Sequence, residues 1–152
     1  MQSDKENYSQ HFMVVAAMTG RGVLPLIRVP SNVKINAKYY IEKVLKPLLE
    51  KELPKLYPND LHKVLAHHDL APAHKAKLTQ EYGEDLRSRL GITIIHNSDI
   101  PVKSADASPL DFFGFGYLKN SVIRKNIKTL DAAFRCCKYV WMNVSVDTIK
   151  RV

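Results

Sequence analysis

The sequence predicts an α/β domain, a mixed sheet flanked by helices. Three observations carry that prediction. Two β-rich apolar runs flank a Gly-containing turn near the start of the chain. After them, stretches with helical spacing of apolar residues alternate with short β-rich runs. Size and composition are those of one globular unit, with 152 residues, 45% hydrophobic and 25% charged. No window reaches the roughly 18 apolar residues of a membrane span. These proportions exclude a disordered tail and a disulfide-stapled mini-protein.

The elements follow in order. Residues 1–11 are polar and carry no strand pattern, so the domain is expected over 12–152. Phe12–Met18 reads as a first strand, Thr19-Gly20-Arg21-Gly22 as a turn, and Val23–Val29 as a second strand. Pro25 cannot donate to a ladder, which predicts an edge position for that second strand. Asn36 can cap a helix from Ala37, whose Ile41, Val44, Leu45, Leu48 and Leu49 share one face. Pro47 predicts a kink in this helix, and Pro54 and Pro58 its end. Leu61–His68 reads as a short strand, with Leu65, His67 and Asp69 on one face and Val64, Ala66 and His68 on the other. Pro72 leads a helix over about 73–90, which Gly91 stops. Ile92–Ile95 is the next strand. A loop from His96 to Ser108 then leads to a Pro109-led helix carrying Asp111, Phe112, Phe113, Phe115, Tyr117 and Leu118. A last helix covers Thr129–Met142, followed by a short tail. The order is β-β-α-β-α-β-α-α.

Charge is uneven along this chain. The formal net charge is +8. Beyond Asp111, Lys119, Arg124, Lys125, Lys128, Arg135, Lys138, Lys150 and Arg151 face only Asp131 and Asp147, so this quarter holds +6 of the excess. A basic surface of this kind suits a polyanion, most simply nucleic acid, and Lys119, Arg124, Lys125, Lys128, Arg135 and Lys138 are the candidate contacts. A solvated helical face explains the same residues as well. Cys136 and Cys137 are the only cysteines and are adjacent, so no disulfide framework exists and a reducing compartment is expected. The polar start, Met1 to Tyr8, lacks the apolar core of a secretory leader.

Two carboxylates stand out by position. Asp69 follows a strand and precedes a proline-led helix; Asp111 lies in the first turn of a helix behind another proline. Carboxylates from a strand end and a helix start can converge on a hard divalent cation. Taken singly, each is equally an ordinary helix-capping residue.

The surrounding residues add to this. His68-Asp69-Leu70-Ala71-Pro72-Ala73-His74 resembles the second catalytic motif of mariner-type DDE transposases, Asp-Asn-Ala-Pro-x-His. Ser104-Ala105-Asp106-Ala107-Ser108-Pro109-Leu110-Asp111-Phe112-Phe113 resembles their third, Ser-Pro-Asp-x-x-Pro-x-Asp/Glu followed by aromatics. Ile35-Asn36-Ala37-Lys38-Tyr39-Tyr40-Ile41-Glu42 is similar to the start of the helix between the family's hairpin and its second catalytic strand. The resemblance spans roughly Phe12 to Trp141, with the motifs in the family's order.

This resemblance implies an RNase H-like fold of strand order 3-2-1-4-5. It also implies a metal-dependent cleavage and transfer of DNA strands with Mg²⁺ or Mn²⁺, in which positioning and charge neutralisation do the catalysis. Asp69 would be the second metal-binding carboxylate and Asp111 the third; Asp106 matches a non-catalytic position. Nuclear localisation, DNA as partner, and self-association or association with a full-length transposase are the matching expectations.

The sequence also departs from the pattern. The strand bearing the family's first catalytic Asp, and the helix-turn-helix region before it, have no counterpart; Asp4 sits in a patternless polar stretch and is no substitute. Leu70 replaces an Asn, Ala105 a Pro and Ser108 an Asn, and Ile100-Pro101 stands where Trp-Pro is usual. The expected protein is a diverged, partial catalytic domain lacking the first central strand, inactive alone and weakly stable, retaining DNA affinity. A non-catalytic nucleic-acid-binding module derived from a transposase, or a functionless relic, is the alternative.

Overall fold

The turn between the first two strands sets the fold. The structure is a computed structural model that describes residues 13–30, 32–68, 76–95 and 115–150. β1 (Met13–Thr19) and β2 (Gly22–Val29) form an antiparallel hairpin closed by Gly20-Arg21. Gly22 takes φ +147°, a conformation that L side chains rarely adopt. The Thr19 hydroxyl accepts from the Arg21 amide (3.1 Å) and donates to the Gly22 carbonyl (2.9 Å).

β2 is an edge strand of its two-stranded sheet, as Pro25 predicts, and Pro25 also marks an irregularity in it. It lies where the register slips: Val15 pairs with Ile27 but Ala17 with Leu24, so β2 carries one extra residue. A bulge is the other position where a strand tolerates a residue without N–H. The bulge also reverses the facing of the side chains. Leu24 and Ile27, three apart, share one face with Val15 and Ala17, while Val23 and Leu26 share the other with Ala16 and Met18.

The helical segment α1 runs through Ala37–Tyr40, Ile41–Glu52 and Leu53–Leu56. Asn36 caps it, its side-chain oxygen accepting from the Tyr39 amide at 2.8 Å. Ile41, Val44, Leu45, Leu48 and Leu49 are all buried, on the face that the spacing predicts. The expected kink at Pro47 is absent as a break. Over Ile41–Glu52 the bonding widens to i→i−5, as in the Leu53 amide to the Leu48 carbonyl. The wider turn makes room for a ring that crowds the carbonyl four residues back in a regular α-turn. Nor does Pro54 end the helix: it sits in the first turn of Leu53–Leu56, where its missing N–H costs little.

The predicted strand Leu61–His68 is mostly not a strand. Leu61–Lys63 forms a 3₁₀ turn, and β3 is only Leu65–Ala66. The expected alternation survives: Leu65 and His67 are exposed while Val64, Ala66 and His68 are half-buried. β3 pairs in parallel with β4 (Thr93–Ile94), the Thr93 and Ile95 amides donating to the carbonyls of Val64 (3.1 Å) and Ala66 (2.9 Å). Between them runs α2 (Lys77–Leu90); the expected start at 73 lies outside the described residues. Gly91 ends α2 in the left-handed region, φ +78°. A Cβ there would come within 3.0 Å of the His62 Cα.

α3 (Phe115–Arg124), α4 (Leu130–Met142) and α5 (Val146–Lys150) complete the described chain. Thr129 caps α4, accepting from the Ala132 amide at 3.2 Å. The segment read as a tail contains α5, whose first turn is fixed by Ser145 Oγ accepting from the Thr148 amide.

Two apolar clusters hold these elements. One lies between α1 and α2 and one face of all four strands, with Leu24, Val44, Leu53, Leu86 and Ile92 at its centre. The other joins the opposite face of the hairpin, through Ala16 and Leu26, to Leu118 of α3 and Cys137 and Trp141 of α4. The Trp141 indole N–H donates to the Leu24 carbonyl (2.9 Å), beside the bulge. Among the described residues the hairpin and the β3–β4 pair are separate two-stranded sheets resting on the same helices, with no ladder between them. Among the described residues no strand lies between β1 and β3.

Candidate functional site

Two regions follow from the sequence, an acidic one after β3 and β4 and a basic one on α3 and α4. Parallel pairing puts the carboxyl ends of β3 and β4 on the same side, the place where open α/β sheets gather functional loops. The chain leaving β3 is held at His68, whose Nδ1 shares a 3.0 Å hydrogen bond with the Tyr40 hydroxyl of α1, the rings tilted at 5.9 Å. Asp69 is the next residue. Asp69, His74 and Asp111 lie outside the described residues. Among the described residues, no group of three or more His, Cys, Asp and Glu is placed to hold a metal ion.

Several acids of the described region are engaged elsewhere. Burial pushes the Glu50 carboxyl up, but hydrogen bonds from Arg89 Nη1 (2.7 Å) and the Tyr82 hydroxyl (2.7 Å) outweigh it and hold it below the usual range. Arg89 Nε also binds Asp85 Oδ2 at 2.7 Å, so this network clamps α1 to α2. The same groups line an open cleft of about 520 Å³ together with Lys38, Glu42, Lys46 and Glu81. Asp60, held low by hydrogen bonds from Arg21 and Lys63, ties the hairpin turn to the end of α1. Arg21 also donates to the Leu56 carbonyl (3.1 Å) and lies 4.3 Å from the Tyr57 ring centroid. The turn is thus a structural clamp.

The basic region differs. Arg124 ends α3, Lys125 and Lys128 sit in the connection to α4, and Arg135 and Lys138 are on the outer face of α4; all five are exposed. Lys119 lies on α3, its side chain outside the described residues. Among the described residues, Arg124, Lys125, Lys128 and Lys138 make no ion pair, whereas Arg21, Lys46, Lys55, Lys63 and Arg89 all do. The one acid on the outer face of α4, Asp131, is bonded by Arg28 of β2, which keeps its carboxyl below the ordinary range. α4 is oriented by burial of Ala133, Cys137 and Trp141 on its opposite side. Burial also pushes the Cys137 thiol up.

Three exposed side chains in this region escape a reading by charge: Tyr139, Ile123 and Met142. Tyr139 lies three residues along α4 from buried Cys136 and four from exposed Arg135, so the helical period alone does not decide its side.

The described fold, with its hairpin, paired helices and parallel strand pair, is that of a mariner-type transposase catalytic domain, an RNase H-like arrangement. Solved structures of Mos1 are similar to it. The catalytic domain of Mos1 mariner transposase superposes with a TM-score of 0.71 at 17% identity, over 92% of this chain and 66% of that one. The same domain with raltegravir and Mg gives 0.69 at 17% identity, over 92% and 67%. The Mos1 transposase paired-end complex with left transposon end gives 0.73 at 16% identity, over 98% and 41%. The chain therefore spans about two thirds of the solved catalytic domain and two fifths of the chain in the complex. No protein-family model and no curated protein matches the sequence.

Proposed function

We propose that this chain is a transposase-derived, DNA-binding partial catalytic domain that is inactive in strand cleavage on its own. The observation that carries the reading is the coincidence of a mariner-type catalytic fold with a cationic surface on α3 and α4 whose Arg124, Lys125, Lys128 and Lys138 make no ion pair among the described residues. Duplex DNA offers one negative charge per about 1.7 Å of axis, and such a surface gains affinity by displacing condensed counterions.

Asp69 and Asp111 are the residues that would hold a divalent ion, two carboxylates being the donor set that Mg²⁺ or Mn²⁺ takes together with water. Solved Mos1 catalytic domains contain Mg and Mn. Such an ion supplies charge stabilisation for attacking and leaving oxygens in phosphoryl chemistry. This chain's own part is narrower. The Tyr40–His68 hydrogen bond fixes the backbone immediately before Asp69, and α4 presents cations to a bound strand. Nuclear localisation, and pairing with a second copy or a complete transposase, belong to the same reading.

Fluorescence anisotropy with a labelled duplex tests it. Three to five engaged cations give a slope of log K against log salt of about −3 to −4.5. Replacing Lys125, Lys128 and Lys138 together by Ala should flatten that slope. Salt-insensitive or undetectable binding refutes the reading. A Mg²⁺ or Mn²⁺ nicking assay tests the inactive half: robust nicking that vanishes in Asp69→Ala overturns it. Binding indifferent to Asp111→Ala instead favours a purely non-catalytic module.

A further inference from the structure

We propose that Tyr139 is a base-stacking platform, so that the α3–α4 surface engages unpaired bases of single-stranded DNA in addition to phosphates. This deepens the DNA-binding reading and rests on it. The Tyr139 ring is 68% exposed on the outer face of α4, an unusual setting for the largest apolar group of that face. Lys125 places its Nζ 6.0 Å from the ring centroid, over one side of the ring. Lys138 is its neighbour in sequence and Arg135 stands one turn before it. Ile123 and Met142 are exposed in the same helix pair, 63% and 48%.

The chemistry selects the partner. An aromatic face beside ammonium groups that make no ion pair among the described residues matches a flat π-system joined to an anionic backbone, which is a nucleotide with its base unstacked. Duplex DNA hides its base faces and offers the ring nothing to stack on. A cation over one side of the ring adds its attraction for the π-electrons and leaves the ring itself apolar. The acid of this face, Asp131, is already bonded by Arg28, so little opposes an approaching phosphate.

The test compares a labelled oligothymidylate with a duplex of equal length at one salt concentration. Tyr139→Ala should weaken single-strand binding about tenfold. Duplex binding and the salt slope should stay within a factor of about two. Tyr139→Phe, which keeps the ring, should bind as the parent does. A 2-aminopurine base in the oligonucleotide should be quenched by the parent and by Tyr139→Phe but not by Tyr139→Ala. Equal binding of single strand by Tyr139→Ala and the parent overturns the platform while leaving the DNA reading intact. So does an equal loss in Tyr139→Phe, or an equal loss for duplex. A parent chain that binds neither DNA form, or binds only anionic vesicles, overturns both.

Discussion

Trp141 is where the basic helix is attached to the rest of the molecule, and its replacement is the sharpest test of the described packing. The side chain is fully buried between α4 and the hairpin, and its N–H meets the Leu24 carbonyl at 2.9 Å. Trp141→Phe keeps an aromatic ring but removes the donor and with it the buried hydrogen bond to the Leu24 carbonyl, at a cost of about 0.5–1.5 kcal/mol. The smaller ring also leaves a void, adding about 1 kcal/mol. The expected loss is therefore about 1.5–2.5 kcal/mol, a large fraction of the roughly 5–15 kcal/mol typical of a whole domain. Urea unfolding followed by circular dichroism reads it as a lower midpoint at unchanged slope. Trp141 is the only tryptophan, so the parent supplies an independent check: its emission should be that of a dry indole and shift red on unfolding. A Trp141→Phe change below about 0.5 kcal/mol, or a water-exposed native emission, refutes the reasoning.

Other outcomes follow from single features. Gly91→Ala should destabilise by about 2 kcal/mol, because φ +78° penalises a Cβ and the His62 backbone stands 3.0 Å from it. Gly83→Ala, in contrast, should stabilise by about 0.5–1 kcal/mol in the same urea assay: its Cβ would meet Ile94 Cδ1 at an ordinary 3.5 Å inside a helix. The carboxyls of Glu50, Asp60 and Asp131 all lie below their ordinary values when folded. Their stabilisation is complete above the unfolded carboxylate range and is lost as pH falls through the lower folded values, because the unfolded chain binds the protons first. The urea midpoint should therefore drop between about pH 5 and pH 2, and a midpoint that rises there contradicts the ion pairs. Because β1 and β3 share no ladder among the described residues, the isolated monomer should melt at low temperature, and a cooperative transition at high temperature, seen by calorimetry, counts against that view.

The parts legible in the sequence were those set by period and by local chemistry. The buried stripe Ile41–Val44–Leu45–Leu48–Leu49, the Asn36 cap, the glycine stop at Gly91 and the hairpin turn all rest on interactions within a few residues. What stayed hidden depended on partners far along the chain or on a local competitor. Pro25 is settled by the pairing register with β1. Pro47 is absorbed by widened turns, which no composition rule signals. Around Leu61–Lys63, i→i+3 bonding takes residues that alternate like a strand, leaving β3 two residues long. In the candidate site, the cations were legible from charge alone. Tyr139 was not, because an aromatic residue in an amphipathic helix reads as core until the neighbouring helices are placed. Asp69 and Asp111 stand on their motifs, outside the described residues.

The two strand pairs share a bed of helices but no backbone bonds. Amide-to-carbonyl links fix position sharply in direction and distance, whereas contacts among aliphatic groups are nearly indifferent to small sideways displacement. Among the described residues the hairpin and the β3–β4 pair are therefore joined by apolar packing on α1 and α2, which resists sliding poorly. Loosening the Glu50–Arg89 clamp between those helices would let the two halves slide as separate bodies, each with its own pattern of amide exchange.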